Sequence, residues 1–363
     1  MKIVIVSRCI YPSNAPRPMR ATELAKYFAT QGHDVTLYGC LGDFDYSDFE
    51  RKTNVKVKAI GKRLFATMDS SGHKRNNLID KIGARLLGSA AEFPDIELAF
   101  KMKQILKSEP NTDLLITIAI PFPIHWGVAF AKNHVKDFPK TWISDCGDPY
   151  MGNSVHTHPS YFQKIEDYWV KQTDFITIPI EEARKAYSQQ AQPKLRVIPQ
   201  GFNFEETPVS EYIPNKIPHF AFAGATYPVY RDPSKFLEYL TTLKEDFRFH
   251  VFTPAGSIFH KFKEQLGDKL VLSNYIPRPE LLKILSTMDF LVNLKNANAV
   301  QSPSKLIDYG IANRPIISIG SDFDEVEEFN EFMSENYQNA TKVDIDNYRI
   351  ENVGAKFLAL TNR

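Results

Sequence analysis

Short runs of β-branched and aliphatic residues alternate with helical patterns along most of the chain, and this alternation constrains the fold more than any other feature. In the first half of the chain the strand-like runs are Lys2–Val6, Val35–Tyr38, Leu114–Ala119, Thr141–Ser144, Phe175–Ile178 and Leu195–Ile198. The helical patterns between them are Met19–Thr30, Asp95–Lys107, Ile124–Asn133 and Ser160–Lys171. Strands separated by helices indicate βαβ units and a parallel sheet, in which strands are apolar because both faces are buried.

The alternation breaks between Gln200 and Pro218, a stretch with three prolines and no periodicity, and then it restarts. The second series of strands is His219–Ala223, Phe247–Thr253, Phe290–Leu294 and Pro315–Ile319. Its helices are Pro233–Thr242, Ile258–Leu266, Pro279–Met288 and Pro303–Ala312. The break is typical of a linker, so we predict two doubly wound α/β domains, residues 1–203 and 218–346.

Composition excludes several classes of protein. The net charge is +1, which does not favour a nucleic-acid partner. The three cysteines, Cys9, Cys40 and Cys146, are far apart and form no CxxC pair, so neither a disulfide framework nor a zinc site is indicated, and a reducing cytoplasm is the simplest location. The apolar run Ile3–Val6 is too short for a secretion signal, and no later run is long enough to cross a bilayer.

Charge is unevenly distributed along the chain. Residues 51–85 carry ten Lys and Arg against two acids, whereas residues 321–346 carry nine acids against Lys342 alone. The basic stretch, taken as 51–86, also holds several apolar residues. Two interpretations remain open: a peripheral contact with anionic lipids on the inner face of a membrane, or a solvated loop and helix face.

The clearest chemical signal lies where the strand Phe290–Leu294 leads into the next helix. The connecting loop ends in Ser302-Pro303-Ser304, a helix start with proline near the first turn. A helix N-terminus presents unpaired N–H groups and partial positive charge, which suits a diphosphate. Lys305 lies in that first turn, and Asp308 follows one turn later on nearly the same face, where a carboxylate can accept hydrogen bonds from ribose hydroxyls.

The same residues also fit an ordinary amphipathic helix with Leu306 and Ile307 inward and Lys305 and Asp308 solvated. We favour nucleotide binding because the helix follows a predicted strand and loop.

This stretch resembles the nucleotide-sugar site of the family 4 glycosyltransferases, which have the GT-B architecture. Members carry two acids eight residues apart; Asp308 matches the second, and Val300 stands at the first. The segment Ala312–Ile317 matches the family's small residue and basic-Pro pair before a strand, and Pro303–Leu306 resembles the helix start of polysaccharide-assembling members. The resemblance implies two Rossmann-like domains facing a cleft, with residues 347–363 as a helix that packs back on the N-terminal domain.

The resemblance also suggests donor-binding residues elsewhere in the C-terminal domain. Gly224 ends the strand His219–Ala223 and allows close approach of a ligand to the backbone, and Arg231 follows as a candidate for the diphosphate. The family reads the nucleotide base near a segment like the one that contains Tyr275. Alternatives are a surface pair between Arg231 and Asp232 and a simple turn at Tyr275.

In the N-terminal domain, the resemblance implies an acceptor site. Arg20 begins a helix and is expected to face the acceptor, as are Asp145 and Asp148, which follow the strand at Thr141. Their segment resembles an Asp-x-Arg-Asp-Pro-aromatic motif with Gly147 at the arginine position. His125 follows another strand, and because ligands bind beyond the carboxyl ends of parallel strands, we expect it to orient the sugar or the acceptor; the alternative is a structural histidine, the usual role of a lone histidine after a strand.

Together these features imply a retaining hexosyltransferase that uses a nucleotide-diphosphate sugar and a glycan or lipid-linked acceptor. Arg231, Lys305 and the helix start at Ser304 would stabilise the leaving diphosphate, so neither a metal nor another cofactor is expected. Two alternatives stay open: a nucleotide-sugar epimerase of the same architecture, and a non-catalytic nucleotide-sugar-binding partner of a glycosyltransferase. A dehydrogenase is disfavoured because Ser7–Ser13 lacks a GxGxxG pattern.

Overall fold

A computed structural model describes residues 1–65, 87–88, 90–153, 156–205, 209–226, 231–253, 257–274, 276–295 and 304–362. The chain divides into two compact units. The first comprises Met1–Phe202 together with Asn347–Arg363, and the second comprises Asn203–Asp346. Each unit is built on one parallel sheet with helices packed against it, so the predicted fold class is confirmed.

The sheet of the first unit has seven strands in the order β3-β2-β1-β4-β5-β6-β7. The strands are β1 Lys2–Ser7, β2 Asp34–Gly39, β3 Lys56–Ala59, β4 Leu114–Ala119, β5 Thr141–Cys146, β6 Phe175–Ile178 and β7 Leu195–Val197. The helices are α1 Pro16–Thr30, α2 Ser47–Thr53, α3 Glu97–Ser108, α4 Pro123–Ala131 and α5 Phe162–Gln172, with short 3₁₀ turns at Lys132–His134, Glu181–Ala186 and Gln192–Lys194. Every residue of β4 and β5 is buried, which is why both strands are apolar runs in the sequence.

The sheet of the second unit has five strands in the order β10-β9-β8-β11-β12. They are β8 His219–Ala223, β9 Arg248–Phe252, β10 Leu270–Ser273, β11 Phe290–Leu294 and β12 Ile316–Ile319. The helices are α6 Ser234–Thr242, α7 Ser257–Leu266, α8 Arg278–Leu285, α9 Ser304–Ala312 and α10 Val326–Met333, with 3₁₀ turns at Gly267–Lys269 and Ile345–Tyr348. Its core is rich in phenylalanine; Phe220 stacks on Phe290 with ring centroids 4.8 Å apart.

The last helix, α11 (Ile350–Ala359), belongs to the first unit. The Phe202 N–H donates to the Tyr348 carbonyl at 2.8 Å, which ties the returning chain to the end of the first unit's main segment. Val353 and Phe357 are fully buried in the same apolar cluster as Phe28 of α1. The apolar face of α11 therefore completes the core of the first unit.

Two of these strands, β3 and β10, were not predicted from the sequence. In β3 the residues Lys56, Val57, Lys58 and Ala59 are mostly exposed, because β3 is an edge strand of the sheet. Edge strands commonly carry lysine, which discourages pairing with another chain and also removes the apolar signal. In the part of the chain that the structure describes, no helix combines the length and the apolar character that crossing a membrane requires.

Candidate functional site

In both sheets the strand order reverses at one point, and ligands of open parallel sheets bind beyond the carboxyl ends of the strands at that place. In the second unit the reversal lies between β8 and β11. Gly224 directly follows β8, and α9 follows the loop after β11. Two of the predicted donor-binding segments therefore meet at the expected position.

A pocket of about 140 Å³ opens at this edge of the second unit. Its apolar walls are Ala223, Phe252, Ile276, Leu281 and Leu285. Gly224, Lys305, Asp308 and Tyr309 complete the lining. An apolar pocket with a few convergent polar groups is typical of a small-molecule site.

Two cationic side chains lie near each other here: Lys305 lines the pocket, and Arg231 is close enough for the two charges to repel. The Lys305 Nζ and the Arg231 Nε are both buried, and among the described residues neither atom has a hydrogen-bond partner. Burial, followed by repulsion from Arg231, lowers the pKa of Lys305 to about 8. Buried donors are nearly always paired in native proteins, so two unpaired cations at one pocket indicate a place for an anion.

Gly224 makes room for this arrangement. Its φ of +145° lies in a region that favours glycine, and an ideal Cβ at this position would be 1.5 Å from the Lys305 Nζ. The Lys305 ammonium also lies 5.3 Å from the centre of the Phe222 ring, a cation–π distance. Gly224, which was identified from the sequence as a position of close approach to the backbone, thus allows the Lys305 side chain to lie against the end of β8.

Tyr309 fixes α9 against the sheet. Its hydroxyl accepts a hydrogen bond from the Ala223 N–H at 2.8 Å and donates to the Val292 carbonyl at 3.2 Å. The side chain is 1 % exposed, so α9 is held to both β8 and β11. This anchoring determines where Lys305, one turn earlier on the helix, is placed.

Asp308 lines the pocket but already has a cationic partner. Its Oδ1 accepts from the Arg278 Nε at 2.8 Å and lies 2.7 Å from Nη2 of the same guanidinium. Burial raises the pKa of Asp308, and the nearby Arg278 charge opposes that shift. Contact of Asp308 with a ribose stays a prediction, and any such contact shares the carboxylate with Arg278.

Several predicted donor residues lie outside the described residues. They are Tyr275 and Ser302, and Val300, which stands where the family has its first acid, lies outside them as well. Ser304 begins α9 as expected, and only its backbone placement is described. The structure therefore brings together Gly224, Arg231, Lys305 and Asp308 from the predicted donor set.

The acceptor residues predicted in the first unit have a different arrangement. The Arg20 Nε and Nη2 each donate to one carboxylate oxygen of Asp145 at 2.7 Å, and Arg20 also donates to the Pro199 and Ile198 carbonyls. Both side chains are almost fully buried, at 3 % and 2 % exposure. Burial alone would raise the pKa of Asp145, but Arg20 outweighs burial and holds it below its ordinary value.

This pairing contradicts the prediction that Arg20 and Asp145 contact the acceptor. The Thr177 hydroxyl also donates to Asp145 at 2.6 Å. A bidentate buried pair whose oxygens and N–H groups are satisfied within the protein ties α1 to strands β5, β6 and β7. Its role is structural.

The prediction for His125 is also contradicted. Its imidazole has no exposed surface, stacks on the Trp169 ring at 5.2 Å, and is hydrogen-bonded through Nδ1 to the Thr117 hydroxyl at 2.7 Å. Burial lowers its pKa to about 3, with Asp145 opposing the shift, so the ring is neutral at pH 7. A buried, neutral histidine fills the core of the first unit and does not reach a sugar.

Asp148 lies two residues beyond the end of β5 and is half-buried. The preceding residue, Gly147, is covered by a side chain that was not predicted there from the sequence. An ideal Cβ on Gly147 would lie 1.5 Å from the Arg17 Nη2 and 1.6 Å from its Cζ. The guanidinium of Arg17 therefore occupies the space in which a side chain at position 147 would begin.

Sequence reasoning missed Arg17, Arg278 and Tyr309. Arg278 follows Pro277 at the start of a helix, a signal no stronger than that of many surface arginines. The sequence signal for Arg17 is indirect. Gly147 stands where the motif has an arginine, and a glycine there leaves space that a side chain from elsewhere in the chain can fill. Tyr309 lies on the inward face of α9, where sequence alone indicates a core residue.

No family model matches the sequence, and no curated protein matches it either. Solved structures do match over nearly the whole chain. A glycosyltransferase from Rickettsia africae ESF-5 has a TM-score of 0.61 at 14 % identity and covers 99 % of this chain and 97 % of its own. The apo form of the lipopolysaccharide outer core galactosyltransferase WaaB has a TM-score of 0.61 at 11 % identity, with 99 % of each chain covered.

Two further structures match over nearly the whole chain. Anabaena Alr3699/HepE in complex with UDP-glucose matches with a TM-score of 0.58 at 8 % identity, covering 99 % of this chain and 98 % of its own. A putative UDP-N-acetylglucosamine 2-epimerase from Listeria monocytogenes matches with a TM-score of 0.51 at 10 % identity, covering 99 % and 95 %. At these identities the likeness concerns the fold. The chain has the two-domain, Rossmann-like GT-B fold found in glycosyltransferases.

Proposed function

We propose that this protein is a hexosyltransferase that moves a sugar from a nucleotide-diphosphate donor to a glycan or lipid-linked acceptor. The observation that carries the proposal is that Lys305, which lines the pocket of the second unit, and the neighbouring Arg231 each have a buried nitrogen atom without a hydrogen-bond partner among the described residues. A diphosphate supplies the negative charge that this pair lacks, and the apolar walls suit a nucleoside. The UDP-glucose complex of the similar HepE structure supports a nucleotide sugar as the ligand class.

In the reaction, negative charge develops on the leaving diphosphate. Lys305 and Arg231 would stabilise that charge by hydrogen bonding, and the burial of their unpartnered nitrogen atoms supports this role. Because these cations supply the positive charge, we propose that transfer needs no divalent ion. Transfer in excess chelator should match transfer with magnesium; complete loss in chelator, restored by magnesium, would contradict this role for the two cations.

We further propose that transfer retains the anomeric configuration, as in family 4 enzymes, with the leaving diphosphate helping to deprotonate the acceptor hydroxyl. Proton NMR of the first product, before mutarotation, distinguishes the outcomes. A product of inverted configuration rules out the front-face route.

The central experiment measures donor binding by isothermal titration with UDP-, GDP- and ADP-glucose. We expect one of the three to bind, and Lys305→Ala to weaken it about 10- to 100-fold, since a hydrogen bond to a charged group contributes about 1.5–3 kcal/mol. Lys283→Ala is the matched control, because Lys283 is an exposed lysine of α8 in the same unit. Equal donor affinities of wild type and Lys305→Ala would remove the basis of the proposal.

An epimerase is the second candidate, and the match to a putative epimerase favours it. An epimerase converts the nucleotide sugar without an acceptor, so incubation with donor alone separates the two. A new nucleotide sugar in that reaction indicates epimerisation, whereas a stable donor that is consumed only with acceptor indicates transfer. A non-catalytic binding partner would bind the donor and leave it unchanged with every acceptor.

We also propose a cytoplasmic protein that meets the membrane from its inner face through residues 51–86. The three cysteines are buried and none is in a disulfide, as a reducing compartment favours. Of the basic stretch, residues 66–86 lie outside the described part, and the described Leu64 is 83 % exposed. Co-sedimentation with anionic vesicles, but not with neutral phosphatidylcholine vesicles, is the expected result; equal binding to both would contradict an electrostatic contact.

A further inference from the structure

At the carboxyl edge of the first unit's sheet, the Arg17 guanidinium has no ion pair and no hydrogen bond among the described residues. Arg17 lies in the first turn of α1, and its guanidinium rests over Gly147 at the end of β5. An ideal Cβ at Gly147 would collide with three atoms of that guanidinium, all within 2.1 Å. Glycine at this position is therefore what allows the guanidinium to lie against the backbone.

Arg20, one turn later on the same helix, shows what a structural arginine looks like here. Its N–H groups are satisfied by Asp145 and by two backbone carbonyls, and it is 3 % exposed. Arg17 is partly exposed, and among the described residues it forms no ion pair and no hydrogen bond, although its charge helps to lower the pKa of the nearby Asp145. Arg17, Arg20 and Asp145 together carry two positive charges and one negative charge, so these three groups leave a net positive charge beside the end of β5.

We propose that the Arg17 guanidinium, seated over Gly147, binds an oxyanion of the acceptor, either a phosphate or a carboxylate. A guanidinium presents a planar fork of N–H donors that matches two oxygens of such a group, and packing against a glycine backbone fixes the plane of the fork. The location agrees with the rule that ligands of parallel sheets bind beyond the carboxyl ends of strands. That the site binds an oxyanion stands on this geometry; that the oxyanion belongs to the acceptor rests on the proposed function.

Asp148 lies next to this position and forms no ion pair with Arg17. A carboxylate accepts hydrogen bonds from sugar hydroxyls, whereas it repels an oxyanion. The two residues therefore divide the acceptor between them: Arg17 takes its charged group, and Asp148 takes a neutral part. An acceptor with both a phosphate or carboxylate and free hydroxyls, such as a phosphorylated sugar, a lipid-linked sugar phosphate or a uronic acid, satisfies both.

The first test needs neither donor nor acceptor. The full chain is treated with phenylglyoxal, which modifies free guanidiniums, and the modification of each arginine is followed by mass spectrometry in inorganic phosphate, acetate or chloride at equal ionic strength. Arg17 should react and Arg20 should not, and phosphate or acetate should protect Arg17. Because protection follows 1 + [ligand]/Kd, a concentration of ten times Kd should slow the modification about tenfold.

Two controls make this result specific. Arg51 is an exposed arginine of α2 in the same unit, paired with Asp48, and it should gain no protection. Gly147→Ala keeps the charge of Arg17 but places a methyl group where the guanidinium lies, so it should abolish the protection while Arg17 still reacts. The proposal is overturned if neither anion protects Arg17 more than Arg51, or if Gly147→Ala keeps full protection. The anion that protects better identifies phosphate or carboxylate.

A second measurement separates this proposal from the proposed function. In a transfer assay, Arg17→Gln should raise the acceptor KM about 10- to 100-fold and leave donor affinity unchanged. If donor affinity falls equally, the oxyanion belongs to the donor and the assignment to the acceptor is wrong. If no nucleotide sugar binds at all, the proposed function fails, while the protection experiment still decides whether Arg17 binds an oxyanion.

Discussion

The two units treat buried charge in opposite ways. In the first unit, Arg20 and Asp145 are nearly fully buried and satisfy each other. In the second unit, Lys305 and Arg231 present buried nitrogen atoms that have no partner among the described residues. Both arrangements lie at the carboxyl edge of a parallel sheet, so position alone does not distinguish a structural charge from a ligand-binding one. Uncompensated charge does, because a buried charge without a partner lowers the stability of the fold and a ligand of opposite charge would offset that cost.

The largest effect should come from breaking the compensated pair. Asp145→Ala leaves the Arg20 charge buried and unpaired, and we expect the free energy of unfolding to fall by about 3–5 kcal/mol. Urea unfolding followed by tryptophan fluorescence measures it, since Trp126, Trp142 and Trp169 all lie in the first unit.

The double variant Arg20→Met with Asp145→Leu is the control for that experiment. Replacing both charges with apolar groups should restore much of the lost stability, because no unpaired charge remains. A loss below about 1 kcal/mol for Asp145→Ala would mean that the pair is not needed, and the contrast between the units would disappear.

A smaller effect of opposite sign should follow in the second unit. Lys305→Met removes a buried cation that has no hydrogen-bond partner among the described residues, so at pH 7 the free energy of unfolding should rise by about 1–3 kcal/mol, although donor binding is weakened. Circular dichroism is the suitable signal, because the second unit contains no tryptophan.

The pH dependence sharpens this test. The pKa of Lys305 is about 8 in the folded protein and near the ordinary 10.5 when unfolded, so the unfolded chain binds more protons between these values. Wild-type stability therefore gains a contribution as pH rises from about 8 toward 10.5, and Lys305→Met lacks it. The advantage of the variant should shrink over that range; an advantage that is constant with pH would show that Lys305 is not desolvated.

The smallest effects concern two glutamates with the same unusual backbone. Glu335 in the second unit and Glu92 in the first have φ values of +62° and +51°. Glu335 is exposed, so Glu335→Gly should stabilise the protein by about 0.5–1 kcal/mol through relief of the left-handed conformation.

Glu92→Gly should do the opposite. The Glu92 carboxylate accepts a hydrogen bond from the Tyr150 hydroxyl at 3.0 Å, and Tyr150 is 2 % exposed. An unpaired buried hydroxyl costs about 1–3 kcal/mol, which exceeds the backbone gain. If Glu92→Gly instead stabilises the protein against urea, the hydrogen bond from the Tyr150 hydroxyl is not needed, and the first unit does not depend on pairing its buried polar groups.

The two-domain α/β architecture could be predicted from the sequence because helices and buried strands leave local patterns of apolar residues. Buried strands such as β4 must be apolar at every position, and that run is visible without knowledge of its neighbours. The residues of the proposed donor side could be predicted for a similar reason. Gly224 directly follows a strand and Lys305 lies in the first turn of a helix, and the sequence indicates both kinds of position. The edge strand β3 was missed because its exposed lysines carry no apolar pattern.

The acceptor side could not be read in the same way. Arg20 and Asp145 are 125 residues apart, and nothing in either segment indicates that they meet. His125 follows a strand, as a catalytic residue often does, yet its side chain points into the core beside Trp169.

The sequence by itself determined two parallel-sheet domains and marked the place of the proposed nucleotide-diphosphate site, because helix and strand periodicities and a glycine after a strand are local properties of the chain. Only the tertiary structure decided which charged side chains are paired within the protein and which have no such partner among the described residues. Compensation of a charge depends on distances between residues remote in sequence: Asp145 neutralises Arg20, whereas Arg17, three residues earlier, lies over Gly147 without such a partner among the described residues.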